Sequence, residues 1–188
     1  MAIIAPWSAW LIYKGLRAFL PRTQRVVAIS VSRDWLETLR VEPILGRGFT
    51  PDETDAGAAA SVAIISHRLW QREFGGDRHV VGQLITINQE SKTIVGVMPP
   101  RYNYPYHADV WLPMRVNPVG RGTWGLNVQG RLEPGVSLAQ AEAELEVIGA
   151  RLATEHPARH RGATLTPIPL RDTLLEGDDR LVVALFGA

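Results

Sequence analysis

Cysteine is absent from the 188 residues, which removes disulfide scaffolds, thiolate metal sites and cysteine nucleophiles together. No compartment follows from this, because a chain without thiols suits reducing cytosol and oxidising periplasm alike. A charge excess is missing too: 20 Lys and Arg stand against 19 Asp and Glu, a formal net of +1, with no block of like charges. Nucleic-acid binding needs a clustered basic field to displace counterions, and a polybasic membrane-surface role needs the same, so neither class is supported. Long apolar runs are the third shortage. The longest uncharged run at the front, Met1 to Tyr13, is broken by Pro6 and followed by Lys14 and Arg17, whereas a spanning helix needs about 20 apolar residues. Its positive charges come after the apolar stretch, the reverse of a secretory signal. Residues 1–25 therefore read as an atypical, weakly apolar N-terminal segment, interfacial or partly disordered.

What remains is ample for folding. Apolar residues make up 46% of the chain, and a domain of this length buries about two-thirds of its unfolded surface without help from metal or disulfide. Val26, Val27 and Ile29 form a β-rich run, and Ser32 is placed to cap a short helix, Asp34 to Arg40, with Trp35, Leu36 and Leu39 on one side. Pro43 and Gly46-Arg47-Gly48 then predict a break in regular structure, and Pro51-Asp52-Glu53 with Gly57 predicts an acidic loop. Val62 to Ile65 has the compact apolar character of a buried strand. Ser66 caps the helix His67 to Phe74, whose inner face is Leu69, Trp70 and Phe74, and Gly75-Gly76 stops it.

Ile85 and Ile87, then Ile94, Val95 and Val97, flank Asn88-Gln89-Glu90-Ser91 as two antiparallel strands around a hairpin loop. Asp109 to Met114 and Asn127 to Leu132 are further strand candidates, and Thr164 to Pro169 suits an edge strand because its prolines cannot donate. Ser137-x-x-Gln140 is a capping box, followed by Leu138, Ala141, Leu145, Ile148 and Leu152 at helical spacing, so a helix is predicted from about Leu138 to His156, closed by Pro157. Leu145 and Ile148 are expected beneath it, and cutting either to alanine would cost about 2–5 kcal/mol if fully buried. Leu181 to Ala188 fits either a terminal strand or the opening turns of a membrane helix.

Sites of chemistry are harder to find. His156 and His160 have a metal-ligand spacing, but Pro157 between them breaks the helix that spacing requires. Ser66 and His67 are adjacent, so their side chains diverge from a helix start, and capping already accounts for the serine. Asp52, Glu53 and Asp55 lack the glycine-punctuated pattern of a calcium loop. Gly120, Gly122 and Gly125 precede a strand, where a phosphate cradle would precede a helix. Trp7, Trp10, Trp35, Trp70, Trp111 and Trp124 suit core and rim, with no basic groove to make them stacking platforms. Glu142, Glu144 and Glu146 complement the N-terminal half of the long helix. No catalytic, cofactor-binding or metal-binding residue is assigned. The competing reading of the residues is a metal-assisted hydrolase using His156, His160 and the acidic loop, and a third is a free-standing soluble interaction module.

Taken in order, VSRDWLETLRVEPILGRGFTPDE (31–53), VAIISHRLWQREFGGDRHVVGQLITINQESKTIVGVMPP (62–100), ADVWLP (108–113), GRLEPGVSLAQAEAELEVIGARL (130–152) and PLRDTL (169–174) resemble the MacB-like periplasmic core domain of FtsX/MacB-type ABC transporter permeases. The resemblance covers about 26–188, and Met1 to Thr23 match nothing in that pattern. It implies an α+β fold, a mixed sheet with packed helices in a porter-like part, plus a smaller β-rich subdomain at about 80–132 within a core domain of 26–180. The implied location is the periplasmic side of the inner membrane, between the first two membrane helices of the permease. The implied role is non-catalytic, relaying motion from a separate or fused ABC ATPase to periplasmic partners or cargo, with the permease a homodimer and no cofactor. On this reading residues 181–188 open a truncated membrane helix, and the chain is a fragment of the permease.

Overall fold

A computed structural model describes the backbone of residues 2–5, 10–13, 16–19, 24–54, 61–114, 128–157, 164–172 and 183–186, and the side chains of 25–54, 61–114, 128–157 and 164–172. Two compact units divide the chain, residues 1–117 and 118–188. The first holds β1 (Ala2–Ala5), β2 (Trp10–Tyr13), β3 (Leu16–Phe19), β4 (Gln24–Val26), β5 (Ala28–Val31), α1 (Trp35–Leu39), β6 (Leu45–Gly46) and α2 (Pro51–Thr54). It continues with β7 (Val62–Ile65), α3 (His67–Phe74), β8 (Leu84–Ile87), β9 (Glu90–Val97) and β10 (Val110–Pro113). The second holds β11 (Gln129–Arg131), α4 (Leu138–Glu155), β12 (Pro167–Pro169) and β13 (Val183–Phe186). The fold is α+β, as expected.

A mixed sheet organises the first unit in the order β4-β1-β8-β9-β7-β10-β5, with β6 also on β9, while β2 and β3 pair separately. β7 lies parallel to β9 and antiparallel to β10, and β10 is parallel to β5. Alternating side chains of the central strands feed two cores. Ala63 and Ile65, Ile94 and Val97, and Val110 pack with Leu69 and Trp70 of α3 and with Val80, Ile85 and Ile87. Ile64, Val95 and Trp111 point the other way, into a cluster with Val31, Trp35, Met98 and Ala108. A strand covered on both faces needs apolar residues at successive positions, which is why VAII has no polar alternation.

Local chemistry sets the element ends. Ser66 Oγ accepts from Leu69 N at 3.1 Å to start α3, and Gly75, at φ 62°, ends it. The turn between β8 and β9 holds Asn88 and Gln89 at φ 51° and 68°, with Ile87 opposite Glu90, so the hairpin loop is two residues and not four. The capping box of α4 is present in both directions.

Several expectations need correction. Ser32 is not the cap of α1: Asp34 occupies that position without a side-chain cap bond, and Ser32 contributes only its carbonyl, to Trp35 N. The break at Gly46-Arg47-Gly48 comes one residue later than expected: Gly46 still belongs to β6, and residues 47–50 have no regular structure. Leu45 and Gly46 pair with Val97 and Gly96, bonded by Ile44 N to Val97 O at 2.8 Å and Arg47 N to Val95 O at 2.9 Å. Glycine is what permits this pairing, since a Cβ on Gly96 would stand 2.5 Å from the Arg47 carbonyl and one on Gly46 would collide with that of Val95. Pro51 to Thr54 forms a helical turn where a loop was expected. Within residues 80–132, expected as a smaller β-rich subdomain, β8, β9 and β10 belong to the sheet of the first unit and β11 to the second unit.

In the second unit β11, β13 and β12 form a parallel sheet in that order, with β12 at an edge. Val183–Phe186 is a strand, the first of the two readings given to the end of the chain. α4 packs on β12, with Ala141 and Gly149 as its buried residues. Ile148 is 39% exposed and not beneath the helix as expected, because the short strands cover a narrow stripe that Gly149, facing Leu165, brings close. Leu145 is half-buried.

Candidate functional site

Asp109 carries a carboxylate buried within the first unit. It stands immediately before β10, and its Oδ1 accepts from Arg68 Nη2 of α3 at 2.6 Å while Oδ2 accepts from Val27 N at 3.3 Å. An ionised carboxylate removed from water requires such donors to offset its lost hydration. Above the second core, the Trp35 and Tyr104 rings stack at 5.8 Å, and Tyr102 tilts against Trp111 at 5.6 Å. Trp111 Nε1 donates to the Tyr104 carbonyl at 3.1 Å and fastens the 99–109 loop to the sheet. Burial pushes the Tyr102 and Tyr104 phenols up to about 12.

A third polar group closes the segment after β6. Arg47 donates to both oxygens of Glu53, at 2.7 and 2.9 Å, and Glu53 also accepts from Thr50 N at 2.8 Å. The Arg47 guanidinium holds the Glu53 carboxyl below the usual range, with the Thr50 N–H acting in the same direction. The polar groups of Asp109, Glu53 and Trp111 bond to other groups of the fold itself, whereas the buried Tyr102 hydroxyl has no hydrogen-bond partner among the described residues.

Several of the residues weighed for chemistry lie on described elements. Ser66 caps α3, and the His67 ring packs edge-on to Trp70 at 5.3 Å. His156 sits at the C-cap of α4, whereas His160 lies outside the described residues. Asp52 and Glu53 are on α2, and Asp55 falls outside the described residues, as do Gly120, Gly122 and Gly125. Glu142, Glu144 and Glu146 are exposed on α4. Trp35, Trp70 and Trp111 are buried, and the side chains of Trp7, Trp10 and Trp124 are not among those described. Among the described residues no three His, Asp or Glu gather as a metal site. Sequence reasoning missed Arg68 with Asp109, which are 41 positions apart. A lone aspartate opening the apolar stretch DVWLP was the available signal.

The family model of the MacB-like periplasmic core domain matches residues 2–148. The chain belongs to that family. The match begins inside the segment 1–23, which was expected to lie outside the family pattern, and it ends within α4. This MacB-like domain is an extracytoplasmic domain of an ABC-type permease. Among its described residues no helix is long and apolar enough to cross a membrane.

Solved structures similar to the MacB-like domain include the periplasmic region of MacB from Actinobacillus actinomycetemcomitans. That match is 11% identical with a TM-score of 0.38, covering 60% of this chain and 47% of the other, so this chain spans less than half of that region. The extracellular domain of the noncanonic ABC-type transporter YknZ from Gram-positive bacteria is 14% identical with a TM-score of 0.48, over 82% of this chain and 75% of that one. A domain of a putative permease protein from Porphyromonas gingivalis is 23% identical with a TM-score of 0.48, over 80% and 69%. No curated protein sequence matches the chain.

Proposed function

We propose that this domain is a non-catalytic relay, carrying ATPase-driven motion of an ABC-type permease to periplasmic partners or cargo. The observation that carries this reading is the family match across residues 2–148. Its direct partners are then the membrane helices of the permease, and through them a separate or fused ABC ATPase, with the permease working as a homodimer. The architecture of the first unit supports a relay. Its central strands are covered on both faces by close-packed side chains, and interiors of that density transmit strain instead of absorbing it.

The absence of cysteine makes the reading testable at a chosen point. Val147 is 70% exposed, so a Val147→Cys variant accepts a spin label without disturbing the core. Distances between labels on the two protomers of the membrane-embedded permease, otherwise freed of cysteine, should change between nucleotide-free and ATP-trapped states. Identical distance distributions in a permease that hydrolyses ATP and moves cargo would overturn the relay.

A further inference from the structure

The strand order of the first unit begins at β4 and ends at β5. These strands are consecutive in the chain, with Val27 the one residue between them. The two ends of the sheet are thus halves of a single segment, and whatever holds Val27 decides whether they stay aligned. Its carbonyl accepts from Asp109 N at 2.8 Å and from Val110 N at 3.1 Å, and its N–H donates to Asp109 Oδ2 at 3.3 Å. The same aspartate binds Arg68 of α3 at 2.6 Å, and its carbonyl accepts from the N–H of Ser66, the cap of α3, at 2.8 Å. One residue joins β10, the β4–β5 junction and the start of α3.

The pair is asymmetric. Arg68 is 61% exposed and the Asp109 side chain 6% exposed. The guanidinium can leave into water at little cost, but the carboxylate it leaves behind is buried with one long N–H bond. Hydration outside then outweighs that bond, and the side chain turns away from Val27. Val27 itself is 36% exposed, so its amide relies on Asp109 for shelter from solvent.

We propose that Arg68 and Asp109 form a latch that ties the Val27 amide to α3, and that losing the Arg68 contact releases that amide while the backbone bonds to the Val27 carbonyl remain. While the latch is shut, displacement of the segment 24–31 is passed to α3; in this it rests on the relay reading above. Both are positioning residues. Amide hydrogen exchange on the complete chain tests the latch, comparing Arg68→Gln with the conservative Arg68→Lys.

In Arg68→Gln the Val27 amide should exchange roughly tenfold faster or more, with Ile64 and Ile94 in the cores unchanged. Arg68→Lys should restore most of the protection, because the observed contact uses a single nitrogen. Unchanged protection at Val27 would overturn the latch. So would an equal loss at Val27 and Ile94, which signals general destabilisation, or an Arg68→Lys variant as labile as Arg68→Gln. The measurement needs no transporter, so its failure leaves the relay standing, and static label distances in the permease leave the latch standing.

Discussion

Replacing Gly46 by alanine asks two things of the backbone at once, and a second glycine separates them. Gly46 has φ 73° and Gly75 has φ 62°, so alanine at either pays the same left-handed penalty, about 1–2 kcal/mol. Only Gly46 has a neighbour in the way: its Cβ would meet the Val95 carbonyl, whereas nothing lies within 4 Å of a Cβ on Gly75. Moving β6 off β9 would sacrifice the bonds from Ile44 N to Val97 O and from Arg47 N to Val95 O. At about 0.5–1.5 kcal/mol each, the excess cost of Gly46→Ala over Gly75→Ala should be about 1–3 kcal/mol. Gly96→Ala probes the same approach from the opposite strand, with no unusual φ, and should cost about that excess alone.

Urea unfolding followed by tryptophan fluorescence measures this, since Trp35, Trp70 and Trp111 are all buried. The midpoints should fall while the slopes stay constant, as expected if only native-state stability changes. Equal losses at Gly46 and Gly75, within about 0.5 kcal/mol, would show that the tight pairing of β6 with β9 contributes nothing.

Core and surface should differ just as plainly. Leu69→Ala, at a fully buried site on the inner face of α3, should cost about 2–5 kcal/mol, and Val147→Ala, on the exposed side of α4, should stay within about 0.5 kcal/mol in the same unfolding assay. The Arg47 contact lowers the folded pKa of Glu53 from its ordinary 4.5, so its contribution is complete above that pH and is lost as pH falls through the folded value. Glu53→Gln should therefore flatten the acid limb of a stability–pH profile, and an unaltered limb would refute the assignment. Burial raises the Tyr102 and Tyr104 phenols from 10 to about 12, so their contribution is present below pH 10 and lost as pH rises through about 12. Phenolate absorbance should show these two groups ionising late, and Tyr102→Phe should remove part of the alkaline loss.

Elements whose signals lie within a few residues are legible in the sequence. α3 carries its cap, its inner face and its glycine stop inside eleven positions, Ser66 to Gly76, and Ser137 with Gln140 announces α4 in the same way. Pairings between distant segments are not legible. β6 is two residues long and reads as a turn until Gly96, fifty positions later, supplies the matching bare backbone. The inner face of α4 differs from its pattern because helical spacing shows which residues align, whereas the small area of strands three or four residues long decides how many are covered. Arg68 and Asp109 escape for a related reason, since an ion pair assembled by sheet order leaves no periodic trace.

Pro167 and Pro169 leave β12 with a single backbone N–H, on Ile168, over its three residues. Another polypeptide approaching that border would find mostly carbonyl oxygens and could not complete a regular ladder. Fibrillar stacking through this border is thus disfavoured by the covalent chemistry of the strand itself.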